Sequence, residues 1–198
     1  MVAQPNSPQH TPEEYFAMSL ESGDLRLEYD HGSIYAMTGG TPDHSLIEGN
    51  LSTWFNILLE ARPSCRVYSN DQRVGLPGES YLYPDVSVVC GKQQFEKRSD
   101  GQLILLNPLL VVEILSKSTQ RFDRIGKYQV YTAMPSVQHY LIVAQTEAHI
   151  THYGWIGREW IAQVYNTLTD MIDLAGLGTL PVERAYRKVS WLSDADDF

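Results

Sequence analysis

Two carboxylates lie inside stretches that otherwise have the pattern of buried β-strands, and this feature constrains the chain more than any other. Asp85 precedes the apolar residues 86–90, and Glu113 follows the apolar residues 109–112. A carboxylate in a buried strand is unfavourable unless it is paired with a donor or bound to a metal ion. Two such acids on neighbouring strands could hold one divalent cation, as in a metal-dependent phosphodiesterase. Alternatively, they are unrelated strand-end acids, each satisfied by a nearby donor.

Length and composition are those of one folded domain. The chain has 198 residues, of which 43% are hydrophobic and 20% are charged, values typical of a globular protein with a sizeable core. No segment reaches the roughly 18 consecutive apolar residues of a membrane span, and residues 1–8 lack the features of a signal peptide. We therefore expect a single domain over residues 1–198, with a core from about 11 to 180 and an acidic C-terminal tail. We also expect a cytoplasmic protein that does not contact a membrane.

Charge and cysteine content argue against a non-specific nucleic-acid-binding protein and against a zinc-binding protein. The net charge of −9 argues against a protein that binds nucleic-acid phosphates without specificity. Residues 92–127 differ from the rest, because their seven basic and four acidic side chains give a balance of +3 around Glu113. Cys65 and Cys90 lack CxxC spacing, so we expect two reduced structural thiols and no zinc site.

Helical and strand patterns follow one another in the order of a mixed α/β fold. Capping signals, an amphipathic stripe and proline stops predict helices over residues 11–20, 44–61 and 121–133. The stripe of the long helix consists of Ile47, Leu51, Trp54 and Leu58. Strands are predicted at 25–29, 33–37, 66–69, 73–76, 86–90, 109–115, 139–143, 150–155 and 159–165. Residues 93–107 are predicted to be an exposed loop, with a short strand near Met171 and a short helix near Val182 further on.

Hydrolysis of a phosphodiester needs a cation, a positioned water and a countercharge. Mg²⁺ prefers hard oxygen ligands and binds one or two carboxylates while keeping several waters, so Asp85 and Glu113 suit it. The metal lowers the pKa of bound water and neutralises charge that develops on the phosphate. A lysine usually follows the second acid by two residues, on the same strand face, but Leu115 occupies that position. Lys127 on the next helix is the favoured substitute over Lys117, which lies in a predicted loop and helix cap.

Other polar residues near these elements have both a functional and a plain interpretation. Lys127 follows Asp123 by four residues, so the two share a helix face, either at the site or as a surface ion pair. Glu28 is a third acid in a hairpin strand, and it could equally face solvent. His44 opens the long helix, either as a site residue or as a solvated side chain. Ser116 has no His–Asp partner nearby in sequence, so nucleophilic catalysis is unsupported.

Taken in order, these residues resemble the Uma-type restriction endonucleases, which are abundant in cyanobacteria and belong to the PD-(D/E)XK nuclease superfamily. The matching positions are residues 27–32, His44, residues 83–89, residues 111–119, Asp123, Lys127, Tyr128 and residues 139–143. The resemblance covers roughly Thr11 to Leu180. Its most specific part is the segment from Val111 to Thr119 followed by an acid, a lysine and a tyrosine.

The resemblance implies a restriction-endonuclease-like α+β fold, with a mixed central β-sheet flanked by helices. It implies cleavage of DNA with Mg²⁺ or Mn²⁺, with Asp85 and Glu113 as the metal ligands. Glu28 would be an added acid, and Lys127 would be the lysine displaced to a helix. His44, Asp123 and Ser116 would lie beside these four catalytic residues.

The resemblance also favours a homodimer, because a DNA duplex has two strands to cut. Two alternatives to a nuclease stay open. The acidic net charge favours a nuclease fold that has lost activity and serves as a binding or regulatory module. A narrow, closed pocket would favour a hydrolase of a small phosphate ester.

Overall fold

The computed structural model describes residues 10–23, 25–37, 39–98, 101–115 and 126–192. Its helices are α1 (Pro12–Glu21), α2 (Pro42–Leu58), α3 (Tyr128–Ala133) and α4 (Val182–Ala185), with a 3-10 helix at Ser190–Leu192. The first seven strands are β1 (Leu27–Asp30), β2 (Ser33–Ala36), β3 (Cys65–Ser69), β4 (Val74–Leu76), β5 (Ser80–Leu82), β6 (Val86–Cys90) and β7 (Phe95–Lys97). The other strands are β8 (Leu103–Leu105), β9 (Leu110–Leu115), β10 (His139–Ala144), β11 (Ile150–Ile156), β12 (Glu159–Tyr165), β13 (Met171–Leu174) and β14 (Gly178–Pro181).

Two six-stranded sheets organise these elements. The central sheet has the order β12-β11-β10-β9-β6-β3, in which β9 and β10 are parallel and the other neighbours are antiparallel. The second sheet has the order β2-β1-β5-β4-β8-β7, with a parallel pair between β4 and β8. Strands β13 and β14 form a separate ribbon. The predicted α+β class with a mixed central sheet is confirmed.

The central sheet is covered on both faces, which explains why its strands are apolar throughout. Val112 of β9 lies in the core cluster that contains the buried side of α2, whereas Val111 lies in the cluster that contains α3. All six residues of β9 are buried. Burial of each large aliphatic or aromatic side chain contributes about 1.5–3 kcal/mol, so Glu113 is held in position by apolar neighbours along its strand.

Helix α2 starts two residues before the predicted first residue, 44, and ends three residues before the predicted last residue, 61. Ile47 and Leu51 are fully buried as predicted, but the third anchor is Phe55, which is also fully buried. Trp54 and Leu58 are only partly buried at the edge of the same cluster. The predicted buried stripe is therefore displaced by one residue, because positions 54 and 55 both fit a 3.6-residue period.

The N-terminal signals predicted the local structure correctly. The Thr11 hydroxyl accepts a hydrogen bond from the Glu14 N–H at 3.2 Å, and the Glu14 carboxylate accepts one from the Thr11 N–H at 2.8 Å. This capping box starts α1. The predicted hairpin is β1–β2, in which His31 and Gly32 turn the chain with φ values of 46° and 90°. The hairpin matters for function because β1 carries Glu28.

The prediction of an exposed loop over residues 93–107 is wrong. This segment contains β7 and β8, and both Ile104 and Leu105 are fully buried. Each strand has only three residues, which is too short for a two-residue alternation to stand out from irregular sequence.

The prediction of reduced thiols is also wrong. Cys65 and Cys90 form a disulfide with a Cα–Cα distance of 4.0 Å. The antiparallel register of β3 and β6 places the two residues directly opposite each other. Their separation of 25 residues in sequence gives no sign of this pairing.

The other predicted strands and the short helix near Val182 are confirmed, with small shifts at their ends, whereas β5 and β14 were not predicted. The structure does not describe residues 116–125 or 193–198, so the start of the predicted third helix and the acidic tail lie outside the described residues. Within the described part of the chain, no helix is long and apolar enough to cross a membrane.

Candidate metal and active site

The two strand acids of the sequence lie near one end of the pairing between β6 and β9, two interior strands of the central sheet. The antiparallel pairing of β6 and β9 includes Val86 opposite Val112, and each of these residues is next in sequence to one of the two acids. The Ile114 N–H donates a hydrogen bond of 2.6 Å to Oδ2 of Asp85. The two acids are only 6% and 3% exposed. The contact with Ile114 places Asp85 beside the residue that follows Glu113 in β9.

A buried lysine joins this site to the second sheet. Nζ of Lys127, immediately before α3, lies 3.0 Å from Oε2 of Glu113 and 3.0 Å from Oε1 of Glu28. Lys127 and Glu28 are each 4% exposed. Oε1 of Glu28 also accepts a hydrogen bond of 2.8 Å from the Tyr83 N–H. An ammonium group between two carboxylates offsets the unfavourable burial of all three charges.

Tyr131 was not singled out in the sequence, yet it contacts a proposed metal ligand. Its hydroxyl donates a hydrogen bond of 2.7 Å to Oε1 of Glu113, and its side chain is fully buried. Burial, and then the negative charge of Glu113, raise the pKa of Tyr131 well above its usual value. The phenol therefore stays a donor at working pH. A spacing of four residues from Lys127 on one helix face could have indicated it.

The first turns of α2 bring two further ligand types to Asp85. Nε2 of His44 lies 3.3 Å from Oδ1 of Asp85. One turn later, Glu48 accepts a hydrogen bond of 3.0 Å from Nδ2 of Asn70. Burial, and then the nearby charge of Asp85, raise the pKa of Glu48. Ligand atoms of His44, Glu48 and Asp85 all lie within 4.8 Å of one another, so this group could hold a metal ion.

Gln145 fixes the start of α2 relative to β9. Its Nε2 donates a hydrogen bond of 2.9 Å to the Leu115 carbonyl, and its Oε1 accepts one from the Thr41 hydroxyl. Thr41 is the N-cap of α2 and accepts a hydrogen bond of 3.2 Å from the His44 N–H. Gln145 is 6% exposed. The helix that carries His44 is thereby tied to the strand that carries Glu113.

The predicted site residues fall into two adjoining groups. Lys127 contacts both Glu28 and Glu113, and Asp85 contacts the Ile114 N–H on one side and His44 on the other. The other two predicted residues, Ser116 and Asp123, lie outside the described residues.

The donor set of these groups suits a divalent cation. Carboxylate oxygens are ligands for Mg²⁺ and Mn²⁺, and imidazole suits transition metals. Each carboxylate oxygen can accept more than one partner, so a cation can share these oxygens with the donors that already hold them.

Comparisons with known proteins give relatives of similar sequence and a solved structure of similar fold. A family model described as "Uma2: Putative restriction endonuclease" matches residues 12–183. The uncharacterized protein slr1290 of Synechocystis sp. is 34% identical over 187 residues, which cover 93% of this chain and 95% of that protein. A second Synechocystis protein, sll1609, is 31% identical over 143 residues, which cover 71% and 79% respectively. The crystal structure of a protein from Anabaena variabilis, described as a putative nuclease belonging to DUF820, is similar with a TM-score of 0.66 and 16% identity. That match covers 89% of this chain and 97% of the other, and it shows a shared fold.

Proposed function

Because the chain belongs to the Uma2 family of putative restriction endonucleases, we propose that it is a Mg²⁺- or Mn²⁺-dependent endonuclease that hydrolyses DNA phosphodiester bonds. The observation that carries the proposal is the buried contact of Lys127 with Glu28 and Glu113, next to Asp85. Buried acids and lysines are uncommon in folded proteins, and a cluster of them marks a candidate functional site.

Asp85 and Glu113 are the proposed metal ligands. When bound, the cation would lower the pKa of a coordinated water and neutralise charge on the scissile phosphate. The Ile114 N–H holds one oxygen of Asp85, and the Tyr131 hydroxyl holds one oxygen of Glu113. Both carboxylates are therefore fixed before a cation arrives, which reduces the entropy lost on binding.

Lys127 is the proposed catalytic cation. Its ammonium group would orient the attacking water and stabilise the negative charge of the transition state. Leu115, which occupies the usual strand position of this lysine, packs in the apolar cluster that contains α3. Lys127 reaches Glu113 from the start of α3 and not from β9, and its amine lies 3.0 Å from Oε1 of Glu28. Glu28 thus acts on the reaction through the position of Lys127.

The acidic net charge of −9 constrains how DNA would bind. Affinity for duplex DNA depends mainly on cationic contacts to phosphates, so we expect weak binding without a divalent cation. A homodimer is the proposed active form, because it would present one site to each strand. The same charge favours the second candidate function, a binding or regulatory module that keeps the fold without cleavage.

A cleavage assay separates the two functions. Supercoiled duplex DNA, single-stranded DNA and RNA are incubated with wild type, Glu113→Gln, Lys127→Met and the control Glu183→Gln, with Mg²⁺, Mn²⁺ or a chelator. Glu183 is an exposed residue of α4. We expect wild type and control to cleave duplex DNA only when metal is present. In the two site variants we expect the cleavage rate to fall by at least about 100-fold.

Two results would contradict the proposal. Wild type that cleaves none of the nucleic acids with either metal would favour the binding module. Full activity of Glu113→Gln would place the chemistry elsewhere.

A further inference from the structure

Strand β12 forms one edge of the central sheet. Among the described residues it has a strand neighbour, β11, on one side only, and its other side is called the open edge. We propose that the open edge pairs antiparallel with the same edge of a second copy of this chain, so that two central sheets join in a homodimer. The evidence for this interface is independent of the nuclease proposal. If both hold, β12 is the surface through which the active homodimer forms.

The backbone of β12 directs every second residue toward the open edge. The N–H of Trp155 in β11 donates a hydrogen bond of 2.8 Å to the carbonyl of Gln138, which precedes β10, so Trp155 directs its backbone groups away from β12. Trp160 lies opposite Trp155 and therefore belongs to a pair without mutual hydrogen bonds. Because the two kinds of pair alternate along the strand, the N–H and C=O groups of Trp160, Ala162 and Val164 face the open edge.

The sequence of β12 lacks the features that normally protect an edge strand from pairing. Protected edge strands are short, or they carry proline, charges or a bulge. Strand β12 has seven residues, contains no proline or glycine, and pairs with β11 in a continuous register. Its one charged residue, Glu159, occupies its first position. The opposite edge strand of the sheet, β3, is shorter and carries the exposed Arg66. Of these two edges, β12 is the one suited to pairing with another strand.

Apolar side chains beside the open edge are exposed to solvent. Trp155 and Val164 are 47% and 57% exposed, and they share the face on which the rings of Trp155 and Trp160 lie 5.5 Å apart. On the other face of β12, Ile161 is 41% exposed. A second strand beside β12 would remove part of this apolar surface from water, which is favourable.

The strand is complementary to a second copy of itself. Ala162 is the middle residue of β12, so an antiparallel pair with a two-fold axis at Ala162 uses the whole strand. Trp160 then lies opposite Val164 of the second copy, and pairs of an aromatic and a β-branched side chain stabilise sheets. The groups that face the open edge would make about six backbone hydrogen bonds between the copies.

The distribution of charge also favours a second copy as the partner. About the same axis, Glu159 lies opposite Tyr165 of the second copy. Arg158 lies opposite Asn166, so no like charges meet. The hairpin turn and β12 together carry one acid and one base, so they offer little attraction to a strongly charged peptide or to nucleic acid.

The size of the interface and the charge of the chain set the expected strength of the dimer. One pair of strands and the side chains beside it bury less than the roughly 800 Å² per partner of a standard interface. We therefore expect a dimer that forms at micromolar concentration and dissociates on dilution. The net charge of −9 on each copy opposes association, and salt screens this repulsion. The dimer should become stronger as the ionic strength rises.

Sedimentation velocity of the full chain, over a range of concentrations at low and high salt, tests the interface. Wild type is compared with Val164→Lys and with the control Met171→Lys. Both substitutions place a lysine at an exposed apolar position of a strand and change the net charge equally, but Met171 lies in β13. We expect wild type and control to dimerise alike, and Val164→Lys to need an at least about 10-fold higher concentration. Thermal unfolding checks that each variant is folded.

Cross-linking tests the register of the pair. The wild type has no free cysteine, because Cys65 and Cys90 form a disulfide. In Ala162→Cys the two new thiols would face each other at the two-fold axis. Oxidised glutathione would accept their two electrons and two protons as one disulfide forms between the copies. We expect a cross-linked dimer of Ala162→Cys and no cross-link in the control Met171→Cys.

Three results would overturn the interface. They are a wild type that stays monomeric over this concentration range, a dimer that Val164→Lys does not weaken, and a dimer that Ala162→Cys does not cross-link. Neither experiment needs DNA, so the outcome is separate from that of the nuclease proposal. A dimer through β12 without cleavage would contradict only the nuclease, whereas cleavage by a protein that stays monomeric would contradict only the interface.

Discussion

The substitution Lys127→Met tests whether the buried ammonium group holds the site together. Methionine keeps much of the length and the apolar stem of lysine but removes the charge. Glu28 and Glu113 would then face each other, buried, without the amine that lies 3.0 Å from each. Removal of one partner from a buried ion pair costs about 3–5 kcal/mol, because the remaining charge is uncompensated.

The contacts of the two acids place the expected value at the low end of that range. The Tyr83 N–H still donates to Glu28, and the Tyr131 hydroxyl still donates to Glu113. We therefore expect a loss of about 3 kcal/mol in the free energy of unfolding. For a chain of this size, each kcal/mol lowers Tm by about 2–4 °C, so Tm should fall by about 6–12 °C.

Urea unfolding at neutral pH in chelator measures this loss, and a second substitution shows its cause. Glu28→Gln in the Lys127→Met background removes one of the uncompensated charges, so it should recover about 1–2 kcal/mol. In the wild-type background the same change should not stabilise the protein. A Lys127→Met variant within about 0.5 kcal/mol of wild type, or strictly additive effects in the double variant, would refute the reasoning.

Three further predictions follow from other contacts. Cys65→Ala removes a disulfide that spans 25 residues. The free energy of unfolding should fall by about 3.5 kcal/mol and Tm by about 10 °C. A reductant should lower the Tm of the wild type and leave that of the variant unchanged. Burial lowers the pKa of His152 from 6.5 to about 4 and also lowers that of His139, its hydrogen-bonded partner. The stability that these neutral histidines contribute is complete above pH 6.5 and is lost as the pH falls toward 4, so denaturant unfolding of His152→Gln should depend less on pH in that window. Tyr131→Phe should cost about 1.5–3 kcal/mol and weaken Mg²⁺ binding severalfold in calorimetry.

Each of these three predictions has an outcome that would count against it. Equal Tm values for wild type with and without reductant would mean that the disulfide does not form or does not stabilise the fold. A pH dependence that is identical in wild type and His152→Gln would assign the acid sensitivity to other groups. Unchanged Mg²⁺ affinity in Tyr131→Phe would mean that its hydroxyl does not orient Glu113.

The sequence predicted the parts of the fold that depend on local pattern. Strand β9 is a continuous apolar run, and such a run is what a strand buried on both faces requires. The capping residues Thr11 and Glu14 started α1 as predicted. The pairing of strands that are far apart in sequence could not be predicted, because their register produces no local sequence pattern. For that reason the disulfide between Cys65 and Cys90 was missed.

The candidate site was likewise predicted only where the local sequence pattern was unusual. Asp85 and Glu113 stood out because charges in apolar strands are unusual. The spacing left Lys127 either at the site, where it was favoured over Lys117, or in a surface ion pair with Asp123, and the resemblance to a nuclease family then assigned it to the site. Glu48 was not singled out, because an acid on a helix normally faces solvent, and only the packing of α2 against the strands brings it close to Asp85. The catalytic roles themselves stay predictions.

The measurement that tests the central claim most directly is calorimetric titration of Mg²⁺ and Mn²⁺ into wild type and Asp85→Ala. Asp85 contacts the Ile114 N–H and His44, and the proposed metal site needs its carboxylate. The account predicts micromolar-to-millimolar binding by the wild type and loss of that binding in a variant that remains folded. No binding by the wild type, or equal binding by the two proteins, would contradict a metal-dependent active site at Asp85.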